Sequence, residues 1–220
     1  MFIEVLTEGA SDVPVVREVL MRRFGLDEHV DFRIHAHRGR GKLPANPLAR
    51  PDPKHRGLFD QLPAKLRGFG KYMNGDCLVL VLVDVDDDDC VQLLNDLTTL
   101  LNSLPSRPPR VLFRLAIEET ESWFLADTYA VRQAFAKSKL NMIQDIDPDS
   151  RVGAWERLAE CLGYKPKDGA GKDKYNWAEK IAPHLNFDLP QSPSLNKLIS
   201  GLARELGVGM NSFDSVPTNP

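Results

Sequence analysis

Val79-Leu80-Val81-Leu82-Val83 runs directly into Asp84-Val85-Asp86-Asp87-Asp88-Asp89. An unbroken apolar run of strand length reads as a strand buried on both faces, the kind found in parallel sheets. Side chains alternate along a strand, so an Asp-x-Asp ending sets Asp84 and Asp86 on the same side. Two carboxylates held that close repel each other, and a divalent cation relieves the repulsion. Hard oxygen donors at a strand end suit magnesium or manganese. Asp84 and Asp86 are therefore candidate metal ligands. Asp87 to Asp89 read instead as the start of the next helix, where Asp is favoured as N-cap and in the first turn.

The pattern around this strand predicts an alternating chain. Phe2 to Leu6 is a short apolar strand, followed by a turn at Thr7-Glu8-Gly9-Ala10-Ser11-Asp12 and a helix from about Val13 to Phe24. Asp31 to His35 is a second strand. Residues 38–57 carry Arg38, Arg40 and Lys42 between glycines and then four prolines, which predicts an irregular basic loop. A helix over Leu58 to Tyr72 precedes the central strand, Cys77 to Val85. A further helix spans about Val91 to Leu104, a strand Val111 to Ile117, and a short helix runs through Trp123 and Phe124. The order β-α-β-α-β-α-β-α argues for a mostly parallel central sheet flanked by helices. From about residue 132 the chain reads as helical with loops: a Lys- and Gly-rich loop over Lys165 to Lys174, helices at Trp177 to His184 and Leu195 to Leu206, and a frayed end from Ser212. The expected organisation is an α/β core over 1–131 and a helical C-terminal extension over 132–220, packed as one unit.

Composition narrows the classes. The chain has 220 residues, 42% of them hydrophobic and 27% charged, with a net charge of -3. That supports a sizeable core and argues against a basic protein that coats nucleic acid nonspecifically. Cys77, Cys90 and Cys161 form no Cys-x-x-Cys or Cys/His cluster, which argues against zinc and fits a reducing, cytoplasmic setting. The start of the chain reads as a strand rather than a signal peptide, and no stretch approaches the roughly 18 apolar residues of a membrane span.

Functional groups in a parallel sheet collect at the carboxyl ends of the strands. Three predicted strands end in acid: at Glu8, at Asp84 and Asp86, and at Glu118 and Glu119, with Glu121 and Asp127 at helical spacing behind. If those strands are neighbours, they share one acidic pocket. Glu8 lies on a different strand from the Asp pair and suits a general acid or base; a carboxylate that favours the N-terminus of the first helix is the competing reading. Arg38, Arg40 and Lys42 suit contacts to a phosphate backbone, or are plain solvated surface. Trp123 and Phe124 read as core. Lys172, Lys174 and Lys180 read as solvated surface, and His35, His37, His55 and His184 are assigned to no metal.

These residues resemble a known arrangement. Thr7-Glu8-Gly9-Ala10-Ser11-Asp12 after strand one, with Leu82-Val83-Asp84-Val85-Asp86 after the central strand, is similar to the Toprim (Rossmann-like) fold of topoisomerases, primases and OLD-family nucleases. Ala116-Ile117-Glu118-Glu119-Thr120-Glu121-Ser122-Trp123-Phe124-Leu125-Ala126-Asp127 resembles the DUF4276 family of small Toprim-like bacterial proteins. So do Trp177-Ala178-Glu179-Lys180-Ile181-Ala182-Pro183-His184 and Ser192-Pro193-Ser194-Leu195. The acidic strand ends add Glu119 as a catalytic candidate and Glu118 and Glu121 as metal candidates, and the basic loop is expected to meet DNA or RNA through Arg38, Arg40 and Lys42. The resemblance implies catalytic roles for Glu8, Asp84 and Asp86, with magnesium or manganese held by the two aspartates beside Glu8. It further implies a nuclease in phage defence working with an ABC- or AAA-type ATPase. A non-catalytic regulatory subunit of such an ATPase is the alternative, and self-association is left open. A topoisomerase or primase is not expected, since 220 residues leave no room for strand-gate domains and a primase needs zinc-binding and helical domains. A haloacid-dehalogenase-like enzyme ranks low, because its Asp-x-Asp follows the first strand.

Overall fold

The structure is a computed structural model that describes residues 1–220 except 87, 145, 148, 150–152, 166–169 and 210–220. Expectations for Asp87, for residues 166–169 of the Lys- and Gly-rich loop and for the chain end from Ser212 lie outside the described residues; Ala170–Asp173 form a 3-10 turn rather than irregular loop.

Four strands form one sheet: β1 (Phe2–Thr7), β2 (Phe32–Ala36), β3 (Cys77–Asp84) and β4 (Val111–Ala116). They run parallel in the order β2-β1-β3-β4. The α/β class expected from the alternating pattern is what the chain forms. Helix α1 (Val13–Glu18) continues through a wider turn at Val19–Arg23 and links β1 to β2. α2 (Leu58–Phe69) follows the proline-rich loop and carries buried Pro63 in its interior. α3 (Cys90–Ser103) joins β3 to β4. Beyond β4 come α4 (Glu121–Ala126), α5 (Thr128–Ala134), α6 (Ala154–Leu162), α7 (Lys174–Ile181) and α8 (Pro193–Leu206).

The two-residue alternation of the strands sorts the core into two layers. Ile3, Val5, Leu78, Leu80, Leu82 and Leu112 face one side and pack with residues of α1 and α4 to α8. Leu6, Val79, Val81, Val83 and Leu115 face the other, against α2 and α3. The central strand is buried from Leu78 onward, as its unbroken apolar run requires. Trp123 and Phe124 are core residues at 1% exposure each. The C-terminal helices belong to the same apolar cluster as β1 and α1, with Leu158, Trp177, Leu195 and Leu202 all inside it.

Local chemistry sets the helix ends. Asp89 caps α3, its Oδ1 accepting from the backbone N–H of Val91 at 2.8 Å and of Gln92 at 2.9 Å. Ser192 caps α8, Pro193 opens it, and Gly207 ends it with a left-handed φ of 69°. These are preferred residues at each place.

Candidate functional site

Because β1, β3 and β4 are adjacent and parallel, their carboxyl ends lie side by side. Glu8 follows β1, Asp84 is the last residue of β3, and Glu118 to Glu121 follow β4. The adjacency that the acidic pocket needs is supplied by the β2-β1-β3-β4 order.

The Asp run divides at the strand end. Asp84 completes β3 and is 9% exposed, with Oδ1 buried and without a hydrogen-bond partner among the described residues. β3 stops there, one residue short of the expected end at Val85. Asp86 takes a left-handed φ of 50°, so strand alternation does not carry through to it. Its side chain is half exposed and lies 3.4 Å from Arg40 Nη1, which also pairs with Asp88 at 2.8 Å. Arg40 reaches the carbonyls of Asp84 and Val85 as well. It therefore clamps the loop after β3 from inside the basic segment.

Around Asp84 the carboxylates crowd. Its pKa is raised well above the usual range by burial, then by the charges of Asp12, Glu121 and Glu8, while Lys174 acts in the opposite direction. Glu8 is pushed up to about 7, first by burial and then by Asp12 and Asp86; its Oε2 is buried without a partner. Glu121, at 1% exposure, is pushed up to about 8 by burial, against the pull of Lys174. Its Oε2 lies 3.2 Å from Lys174 Nζ in an ion pair, while its Oε1 is buried without a partner among the described residues. Asp12 is buried behind Glu8. It accepts from Gly9 N–H at 2.9 Å and from the Thr120 hydroxyl at 3.0 Å, and burial raises its pKa.

Two members of this cluster were not expected from the sequence. Asp12 reads there as a helix cap, and Lys174 as solvated surface. The structure corrects the second: Lys174 pairs with Glu119 at 3.0 Å and with Glu121, with a fifth of its side chain exposed. Its pKa is raised because both partners outweigh the cost of burying its charge. A lone Lys in a Lys- and Gly-rich stretch gives no sign that α7 delivers it to carboxylates more than fifty residues away.

The other expected residues are placed differently. Glu118, at a left-handed φ of 64°, turns to the N-terminus of α6 and accepts from the backbone N–H of Gly153 at 2.8 Å and of Ala154 at 3.1 Å. Glu119 bridges Lys174 and the N–H of Trp155. Asp127 caps α5 through Ala130 N–H and accepts from Asn186 N–H. Arg38 lines an open depression with Pro53, Lys54 and Arg56. Lys42 lines a separate hollow of about 270 Å³ with Arg50, His55 and Asp60.

Three carboxylates, Glu8, Asp84 and Glu121, thus present desolvated oxygens that lack hydrogen-bond partners. Buried polar atoms in that condition are rare and costly. Their hard oxygens suit a divalent cation. Among the described residues, no three His, Cys, Asp or Glu side chains already stand arranged as a metal-binding group. In this arrangement the Lys174 ammonium offsets Asp84 and Glu121, and Arg40 offsets Glu8.

A family model described as "Domain of unknown function (DUF4276)" matches residues 7–203. The chain belongs to the DUF4276 family. The match spans Glu8, the Asp run, Glu118 to Glu121 and Lys174. Among solved structures, the C-terminal region of the Xanthomonas campestris pv. campestris OLD protein is similar. It has 14% identity, 93% of each chain covered and a TM-score of 0.45. No curated protein matches the chain in sequence. Among the described residues, no helix is long and apolar enough to cross a membrane.

Proposed function

We propose that this DUF4276 protein is a metal-dependent phosphodiesterase that hydrolyses DNA or RNA, acting as the effector of a bacterial phage-defence system alongside an ABC- or AAA-type ATPase. The observation that carries the reading is the convergence of Glu8, Asp84 and Glu121 at the carboxyl end of the sheet, with buried oxygens that have no hydrogen-bond partner among the described residues. The Toprim-like resemblance of the segments around Glu8 and Asp84 supports the same chemistry. Asp84 and Glu121, with Glu8 and Asp86 beside them, are the residues that would hold magnesium or manganese. A bound ion of that kind polarises a phosphoryl oxygen and makes water more acidic.

The chain's own groups divide the remaining work. Glu8, with a pKa near 7, is poised to take or give a proton close to neutral pH. Lys174 holds Glu119 and Glu121 in place and contributes a fixed positive charge next to the pocket. Arg40 fixes the loop that carries Asp86. Arg38, with Lys54 and Arg56 around the same depression, offers cations to a phosphate backbone. A net charge of -3 leaves little general attraction for a polyanion, which gives a partner's basic surface a part in binding.

The test is degradation of linear duplex DNA, single-stranded DNA and RNA by purified protein with magnesium or manganese. Glu8→Gln and Asp84→Asn are both expected to abolish it. Undiminished degradation by both variants removes the assignment. A second reading, a regulatory subunit of the ATPase without turnover, is favoured by Lys174, which balances the pocket's charge without a metal. Calorimetry that detects no cation binding, together with no degradation even in the presence of the ATPase, selects that reading.

A further inference from the structure

β4 is an edge strand of the sheet. Arg110 C=O accepts from Val79 N–H and Ala116 C=O from Val85 N–H, so the even-numbered residues turn their backbone groups toward β3. In a parallel pair, the residues between them turn theirs the other way. Val111, Phe113 and Leu115 therefore present N–H and C=O groups outward. α3 packs on one face of the sheet and α8 on the other, and a cleft of about 300 Å³ opens between them with Phe113 to Ile117 along it.

The cleft carries one sign of charge. Arg114, Lys197 and Arg204 line it, together with apolar Leu94 and Phe113, and among the described residues no acidic one does. Glu205 on α8 is already paired with Arg110 at 2.8 Å. Among the described residues Arg114 donates to main-chain carbonyls: Nε to Lys197 C=O at 2.8 Å, and Nη1 to its neighbour Phe113 C=O at 2.7 Å. The second of these bonds lies on the outward edge, where it occupies an acceptor that a pairing strand would use. Burial and then the nearby Arg204 disfavour the charge on Arg114, with Glu205 acting in the opposite direction; an incoming carboxylate would add to the relief.

We propose that this edge is a docking groove for an extended, acidic segment of a protein partner, which adds alongside β4 as a fifth strand. Main-chain pairing to Phe113 and Leu115 would give affinity, and carboxylates against Arg114, Lys197 and Arg204 would give specificity. A second copy of this chain fits poorly. Pairing two β4 edges about a two-fold axis would set the same three cations against each other. The groove does not depend on the phosphodiesterase reading, but β4 leads directly into Glu118 to Glu121, so its occupant would sit beside the carboxylate pocket.

The experiment uses the full chain and a labelled, strand-length peptide of alternating Glu and Val, followed by fluorescence anisotropy and amide hydrogen exchange. The peptide is expected to bind and to slow exchange at Phe113 and Leu115. N-methylation of its alternate amides, Arg114→Glu and Arg204→Glu should each weaken binding about tenfold or more, with an unchanged thermal melt for the exposed Arg204→Glu variant. A Lys and Val peptide should not bind. Undiminished binding of the N-methylated peptide would reduce the site to charge attraction and overturn strand addition. No binding of the Glu and Val peptide overturns the groove altogether and leaves the cations as guards of an open edge. Self-association in sedimentation that itself protects Phe113 would replace the acidic partner with a second copy.

Discussion

Two sets of carboxylates lie within a few residues of each other and behave in opposite ways. Asp86, Asp88 and Asp89 are exposed after β3, and each has a partner: Arg40 for the first two, the start of α3 for the third. Asp84 and Glu121 are buried, Glu8 is half-buried, and all three keep buried oxygens with no hydrogen-bond partner among the described residues. The same chemical group is a solvated cap in one place and a suppressed acid in the other. Burial decides this, because water screens the first set and leaves the second to its neighbours. The acidic run is conspicuous in the sequence, yet most of its acids do structural work. The pocket draws on acids from three separate segments.

The largest effect is expected from removing the buried cation. Lys174→Met leaves Glu119 and Glu121 without their ion-pair partner. It should cost about 3 kcal/mol of stability at neutral pH, measured by urea denaturation. A loss below about 0.5 kcal/mol would mean that Lys174 is not the internal counter-ion and would dissolve the contrast between the two sets.

Next comes the pH dependence. Glu8 and Glu121 rise from an ordinary 4.5 to about 7 and about 8. Both therefore bind protons more tightly in the folded chain than in the unfolded one. Their contribution to stability is most favourable below about pH 4.5, is lost as pH rises through the interval to about 8, and levels off above it. Their combined loss should be on the order of a few kcal/mol. Melting across that range should show the decline, and Glu121→Gln should flatten it. If saturating manganese also flattens it, the buried set binds the cation. If the exposed triple variant Asp86→Asn, Asp88→Asn, Asp89→Asn flattens it instead, the comparison is reversed.

Smaller effects sharpen the boundary. Glu118→Ala removes the acceptor for two N–H groups at the start of α6. It should lower stability by about 1 kcal/mol, as the loss of a helix cap does, while leaving cation affinity by calorimetry unchanged. Changed affinity would return Glu118 to the pocket. The smallest change belongs to Asp88→Asn, an exposed partner of Arg40, which should alter stability by less than about 0.5 kcal/mol.

Much of the fold is legible in the sequence because each signal is local. The apolar run before Asp84 can only be a doubly covered strand, and the strand and helix periods alternate from Phe2 to Ala126. Part of the site is legible for the same reason: strand ends are where acids are conspicuous. Asp12 escapes notice because a cap and a buried pocket acid share one residue type. Lys174 escapes notice because a lysine's partners are set by packing alone. Asp86 departs from its expected pairing with Asp84 because one left-handed residue ends the alternation on which that pairing depends.

The sequence by itself determined the parallel α/β framework and the positions of Glu8, Asp84 and Glu121 near element ends, because hydrophobic period and chain punctuation act over a few residues. Only the tertiary structure decided that β1, β3 and β4 are neighbours, that Arg40 belongs to the Asp loop, and that Lys174 enters the pocket while Glu118 leaves it. Those outcomes depend on strand order and on how α6 and α7 pack. Burial and charge act there between residues that lie far apart along the chain.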